Sequence, residues 1–344
     1  MAILKGVAAT VAAIFLILLV FYWAAGRAKP VLDADSRAAL RKQGLAHAFM
    51  DLPDGTVHYR LEGPSNGPLV VLVHGFSLPS FVFDDYVKPL TDAGYRVLAF
   101  DNYGRGLSDR PAVEYDANLT DRLILNLTDK LGLTAPAHFV GYSMGGAAAV
   151  IFAARHPERV RSLTLIAPAG LGIAPKLKEG VLARPVIGEW IARMFGLRIF
   201  HDIAAKDAQA APDPVRFLAD FDRQMDYRGY GDALVSTIRH YPLDSAQVDY
   251  AEAGRSERPV LVIWGEADET VPFSASQKLM ALMPRARLHS YPGLGHNIAF
   301  SRAPLVTGLI LDFLAGQQDV TMGAKTPMRI EARPAGNGAA PEQR

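Results

Sequence analysis

Five short runs, at 69–73, 96–100, 138–140, 162–167 and 260–264, constrain this chain more than any other feature. Each is nearly continuous in apolar residues, the pattern expected of a strand buried on both faces. Helical periodicities separate them, near 82–93, 118–131, 143–155, 274–283 and 304–314. Strands alternating with helices imply crossover connections and a mostly parallel sheet covered on both faces. A hairpin precedes the runs: 47–51 and 56–61 flank the turn signal Asp54-Gly55.

The alternation stops for about ninety residues between Ala167 and Pro259. Ile187, Ile191, Met194 and Phe195 fall on one helical stripe. Phe217, Phe221 and Met225 continue a similar pattern, and 233–241 reads as a further helix. The predicted organisation is therefore an α/β core at 46–170 and 256–315, interrupted by a helical insertion at 171–255. The segment 29–45 reads as a linker, partly helical over 34–43, and 316–344, rich in Gly, Ala, Pro and Gln, as a disordered tail.

Residues 1–28 form a separate unit. No charge occurs from Gly6 to Gly26, and the apolar stretch 7–25 contains one clearly polar side chain, Thr10. As a helix it would span roughly 28 Å, close to the ~30 Å of a bilayer core. Tyr22 and Trp23 stand at its far end, where aromatic side chains favour the headgroup level. Two readings fit, a retained single-span anchor and a cleaved secretory signal. The length favours the anchor, since signal cores run only about 7–15 residues. Lys5 and the terminal amine stand on one flank and Arg27, Lys29, Arg37, Arg41 and Lys42 on the other. A positive-inside count leaves the main domain cytoplasmic, and a cleaved signal would export it.

Composition excludes several classes. Charge is balanced, 36 basic against 35 acidic residues, with none of the basic footprint of a nucleic-acid binder. The absence of cysteine removes disulfides, thiolate zinc sites, thiol nucleophiles and palmitoylation. Nothing in the pattern calls for a cofactor or a metal.

The chemistry centres on Gly141-Tyr142-Ser143-Met144-Gly145. An apolar run leads into this G-x-S-x-G pentapeptide and an Ala-rich helix leads out, the setting of a nucleophile elbow. The nucleophile would be Ser143. A serine hydroxyl needs a base to take its proton, and His296 lies in a glycine-flanked loop after the strand at 288–291. The base needs a carboxylate to fix its tautomer. Asp268, just beyond the run at 260–264, is favoured over its neighbours Glu266 and Glu269. The oxyanion would be met by the N–H groups of Met144, next to the nucleophile, and of Phe76, in His74-Gly75-Phe76-Ser77. His74 is read as structural. Trp190, Met194, Phe195 and Phe221 are candidate substrate contacts in the insertion.

On these motifs, together with Asp101-Asn102-Tyr103-Gly104-Arg105-Gly106-Leu107-Ser108, the chain resembles the cap-bearing α/β-hydrolase family over roughly 47–315. The resemblance implies structural roles for Asp101 and the Gly104/Gly106 loop. Ser143 separates the chain from similar branches with an aspartate at the elbow. Many relatives carry an acidic residue where Ser301 stands, and the ring-cleavage hydrolases typically have Asn where Tyr142 stands. The resemblance implies a serine hydrolase of the esterase or monoacylglycerol-lipase type, acting on apolar acyl esters. Carbon–carbon hydrolysis of ring-cleavage products and cofactor-free haloperoxidase-like esterase chemistry are the alternatives. A non-catalytic receptor on the same fold is a further reading.

Overall fold

A strand buried on both faces has no water for its backbone groups and must pair with neighbours on both sides. In the computed structural model, which describes residues 2–25, 27, 29–42, 48–173 and 179–321, eight strands form one sheet, the six inner ones paired on both sides. They are β1 (Ala48–Leu52), β2 (Gly55–Glu62), β3 (Leu69–Val73), β4 (Arg96–Phe100), β5 (Ala137–Tyr142), β6 (Val160–Ile166), β7 (Val260–Gly265) and β8 (Arg287–Tyr291). The spatial order is β1-β2-β4-β3-β5-β6-β7-β8. β1 and β2 form the expected hairpin, with Leu52 opposite Gly55, and β2 runs antiparallel to β4. Every later pair is parallel. All six residues of β5 and of β7 are buried.

Side chains alternate between two apolar layers, as strand geometry requires. From β3, Val71 and Val73 enter one layer, while Val70 and Leu72 enter the other. Two N-terminal helices, α1 (Ala2–Ala25) and α2 (Ala34–Lys42), precede the sheet. Its flanking helices begin with α3 (Asp84–Asp92), α4 (Ala117–Lys130) and α5 (Met144–Arg155). The Asp116 carboxylate caps α4 by accepting from the Leu119 N–H at 2.9 Å.

Between β6 and β7 lie α6 (Ile187–Ile191), a π-type turn at Ala192–Gly196, α7 (Leu197–Ala208), α8 (Pro214–Met225), α9 (Tyr230–His240) and α10 (Gln247–Gly254). The stripe expected through Ile187, Ile191, Met194 and Phe195 is broken, because α6 ends at Ile191 and the π turn shifts the helical register beyond it. Phe217, Phe221 and Met225 are buried along α8, as their spacing predicts. α10 lies within the span assigned to the insertion, yet Tyr250 and Ala253 bury it in the layer shared with α5. The Tyr250 hydroxyl fixes it by donating to Ala169 O at 2.6 Å. The described residues end with α11 (Ala275–Leu282), α12 (Ile298–Ser301) and α13 (Ala303–Thr321).

One expectation is refined and one is corrected. The segment expected as a linker is helical over 34–42, within the predicted 34–43, and it is anchored rather than free: Leu32 and Leu40 are buried with Leu107, and Pro30 O accepts the Arg228 N–H at 3.0 Å. Helix also replaces disorder at 316–321, where α13 continues beyond its buried Phe313 and Leu314. The linker end at 43–45, the first residue of the hairpin, part of the insertion at 174–178 and the tail from 322 lie outside the described residues. α1 includes one span, Lys5–Ala24, long and apolar enough to cross a membrane by length and composition, and no part of it is buried.

Candidate active site

The end of β5 sets the geometry. Ser143 follows it at φ 55 and ψ −119, in a region that L side chains rarely adopt. Two glycines permit that turn. A Cβ on Gly141 would lie 2.3 Å from Gly145 O, and one on Gly145 would lie 1.9 Å from Val73 O. The sharp bend places the serine side chain at the carboxyl edge of the sheet, where α5 begins.

Two further strand ends bring its partners. His296, in the loop after β8, places Nε2 2.9 Å from Ser143 Oγ and Nδ1 2.7 Å from Asp268 Oδ2. Asp268 follows β7 with a fully buried side chain, and its Oδ1 accepts the N–H groups of Thr270 and Val271, each at 2.8 Å. A carboxylate that only accepts assigns the imidazole proton to Nδ1, and leaves Nε2 free to accept from the serine hydroxyl. The other acids near Asp268 are not part of this chain of bonds: Glu266 accepts from Ser290 Oγ at 2.7 Å, and Glu269 is exposed. The Tyr142 hydroxyl donates to His296 O at 3.1 Å, which steadies the loop.

The loop after β3 closes over the elbow. A Cβ on Gly75 would lie 3.3 Å from Ser143 Cβ, so Phe76 stands directly beside the nucleophile. Among the described residues, neither the Phe76 nor the Met144 N–H is taken up by a turn or loop hydrogen bond. His74 braces this loop from behind, with Nε2 accepting the Asn102 N–H at 2.8 Å and Nδ1 donating to Gly75 O at 2.9 Å. Asp101 is buried beneath it. Its carboxylate accepts the Ser80 and Leu107 N–H groups and pairs with His58 Nδ1 at 2.7 Å. Burial alone would raise the Asp101 pKa, but the His58 imidazole and the Leu107 N–H carry it well below the ordinary range. Arg105 is buried too, and donates to Phe76 O at 2.8 Å, Tyr103 O at 3.2 Å and Thr237 Oγ1 at 2.8 Å. One guanidinium therefore joins the Phe76 loop to α9.

A cavity of about 240 Å³ opens beside Ser143 and His296. Phe76 and Phe221 line it, as does a face of α7 made of Ile199, Phe200, Ile203, Ala204 and Asp207. Trp190, Met194 and Phe195 are not among its lining residues. Trp190 and Phe195 contact each other instead, ring centroids 5.8 Å apart, with Phe195 half exposed. The α7 face recurs at i, i+1, i+4, i+5 and i+8, a periodicity present in the sequence but marked there by fewer large aromatic side chains than its neighbours. Asp207 is the one acid among the described lining residues. Burial raises its pKa, partly offset by the nearby His296.

A match to the family model described as alpha/beta hydrolase fold covers residues 68–303. The chain belongs to the α/β-hydrolase fold family. This α/β hydrolase is 31% identical over 285 residues to the 2-hydroxy-6-oxononadienedioate/2-hydroxy-6-oxononatrienedioate hydrolase of Cupriavidus pinatubonensis, covering 77% of this chain and 94% of that one. It is 32% identical over 279 residues to the 2-hydroxy-6-oxo-6-phenylhexa-2,4-dienoate hydrolase of Comamonas testosteroni, covering 77% and 93%. Among solved structures, a membrane phospholipase A superposes with a TM-score of 0.66 at 22% identity, over 92% of this chain and 98% of that one, a likeness of fold. The hydrolase class expected from the motifs is thus supported by the relatives, whereas ester specificity is not: the names of both curated relatives describe hydrolases of dienoate-type acids.

Two buried histidines make stability depend on pH. Burial pushes both His74 and His138 from 6.5 down to about 4. Between those values the unfolded chain binds protons that the folded chain does not, so stability is full above pH 6.5 and declines as pH falls towards 4. Denaturant titrations from about pH 7.5 to about 4.5 should show this decline. His138 Nδ1 meets Ser162 Oγ at 2.7 Å, so the paired variant His138→Leu, Ser162→Ala should make the decline shallower. An unchanged slope would contradict the assignment.

Proposed function

We propose that this protein is a serine hydrolase that cleaves uncharged carboxylic esters with an apolar acyl group, through an acyl-enzyme. The observation that carries the reading is the continuous chain Asp268–His296–Ser143, at 2.7 and 2.9 Å, opening onto a largely apolar cavity. In this reading Ser143 Oγ attacks the ester carbonyl while His296 Nε2 takes its proton, and Asp268 stabilises the imidazolium. The Phe76 and Met144 N–H groups receive the oxyanion. His296 then returns the proton to the leaving alcohol, and water, activated by the same imidazole, releases the acid.

The second reading is carbon–carbon hydrolysis of a ring-cleavage dienoate. The similarity to dienoate hydrolases favours it. The ester reading is preferred because such substrates carry a carboxylate, which an apolar wall bearing Asp207 would repel. Among the described lining residues there is no lysine or arginine to receive it.

α1 is read as a membrane anchor that keeps the cavity near lipid-derived esters. Two contacts support this: the Arg193 guanidinium lies 4.2 Å from the centre of the Tyr22 ring, and Pro30 is bonded to Arg228. Ile199 and Ile203 line the cavity and are also exposed, so its rim is apolar.

Wild-type protein assayed on p-nitrophenyl esters of increasing chain length, beside a ring-cleavage dienoate, should hydrolyse the esters faster. Faster turnover of the dienoate would transfer the conclusion to the second reading. Ser143→Ala should abolish turnover with the fold retained, and Asp268→Asn should lower kcat by roughly 10⁴-fold. For the anchor, full-length protein should stay with membranes through an alkaline carbonate wash, and its release would refute the reading.

A further inference from the structure

The cavity beside Ser143 holds a carboxylate that the triad does not use. Asp207 stands near the end of α7, on the face that carries Ile199, Ile203 and Ala204 into the cavity. It shares that space with His296 and Tyr142, and it is half-buried. Among the described residues no side chain or N–H donates to its carboxylate, although other acids of the insertion are engaged: Asp222 with His201 at 2.8 Å, Asp232 with Arg193 at 2.9 Å, and Asp213 as the cap of α8. Its oxygens are not sealed from water, but burial desolvates them in part, and a ligand that supplies a donor replaces the hydration they lose.

We propose that Asp207 is a specificity-determining residue that accepts a hydrogen bond from a hydroxyl on the alcohol part of the substrate, so that partial esters of a polyol are preferred and acids bearing a second carboxylate are rejected. A hydroxyl supplies the missing donor without bringing a second ion out of water. A substrate carboxylate would instead meet a like charge across an apolar cavity, where screening is weak. The inference rests on the ester reading. Asp207 also faces the imidazole of His296, and any effect through that ring reaches every substrate alike. The discriminating quantity is therefore a ratio between substrates.

The experiment measures kcat/KM of the full-length protein on three esters of one acyl length: the 1-monoacylglycerol, the ethyl ester, and the monoethyl ester of the corresponding dicarboxylic acid. In Asp207→Ala, the preference for monoacylglycerol over ethyl ester should fall about tenfold, and relative activity on the monoethyl dicarboxylate should rise by a similar factor. Asp207→Asn keeps an acceptor without the charge, so it should relax only the rejection of the dicarboxylate ester. Asp207→Ala should unfold at or above the wild-type temperature, since it removes an unpartnered carboxylate from an apolar wall. Equal changes on all three esters would overturn the proposal. If wild type cleaves no ester, the ester reading itself fails. The charge filter is then judged on the dienoate, whose turnover Asp207→Ala should raise and whose unchanged rate would overturn it as well.

Discussion

The strained backbone of Ser143 is the constraint on which the rest of the site depends. A non-glycine residue in such a region costs on the order of 1–3 kcal/mol, and it persists only where the surroundings over-determine it. Here they do. The Ser143 N–H donates to Ile166 O at 2.9 Å, and its carbonyl accepts from the Gly146 and Ala169 N–H groups, both at 2.9 Å. Four bonded elements therefore fix one residue: β5 before it, β6 beside it, α5 after it, and the loop leading to the insertion. With Gly145 pressed against Val73 O, no side chain larger than hydrogen fits the next turn. The bend is held by the sheet, so the position of the hydroxyl results from strand pairing and does not rely on a loop.

The second structural theme is how the insertion is tied to that bend. Gln224 accepts the Gly106 N–H at 3.0 Å and donates to Ser77 O at 3.1 Å, and Tyr230 donates to the same carbonyl at 3.2 Å. Arg105 adds its bonds to Phe76 O and Thr237. Burial lowers its pKa to about 10, so the guanidinium stays charged under ordinary conditions. Side chains from α8 and α9 thus hold the loop that places the Phe76 N–H, and the insertion acts as a clamp on the oxyanion side as well as a roof over the cavity.

How much of this was legible in the sequence depended on the kind of signal. The strands from 69 to 264 were readable because burial on both faces leaves a continuous apolar run, and the elbow because a strand, two glycines and a helix must adjoin it. Asp268 and His296 were marked by their places after strands. The insertion was harder. Periodicity shows that a helix has an apolar face but not what the face meets, which is why Trp190, Met194 and Phe195 stood out and α7 did not. α10 left little trace because only Tyr250 and Ala253 of its eight residues are buried. Asp207 gives no sequence signal at all: one acid on a mixed helix looks like any solvated residue until its surroundings are known. The burial of Leu32 and Leu40 was likewise hidden, since their partner Leu107 lies far along the chain.

The central claim is that the fold delivers an activated hydroxyl at Ser143, with His296 as its base. A fluorophosphonate probe with peptide mass mapping tests it most directly, since the reagent phosphonylates a serine only where that serine is activated. The account predicts a single adduct on the peptide containing Ser143 in wild-type protein, and its loss in His296→Ala. Wild-type protein that remains unlabelled, or that carries its adduct on another serine, would contradict it.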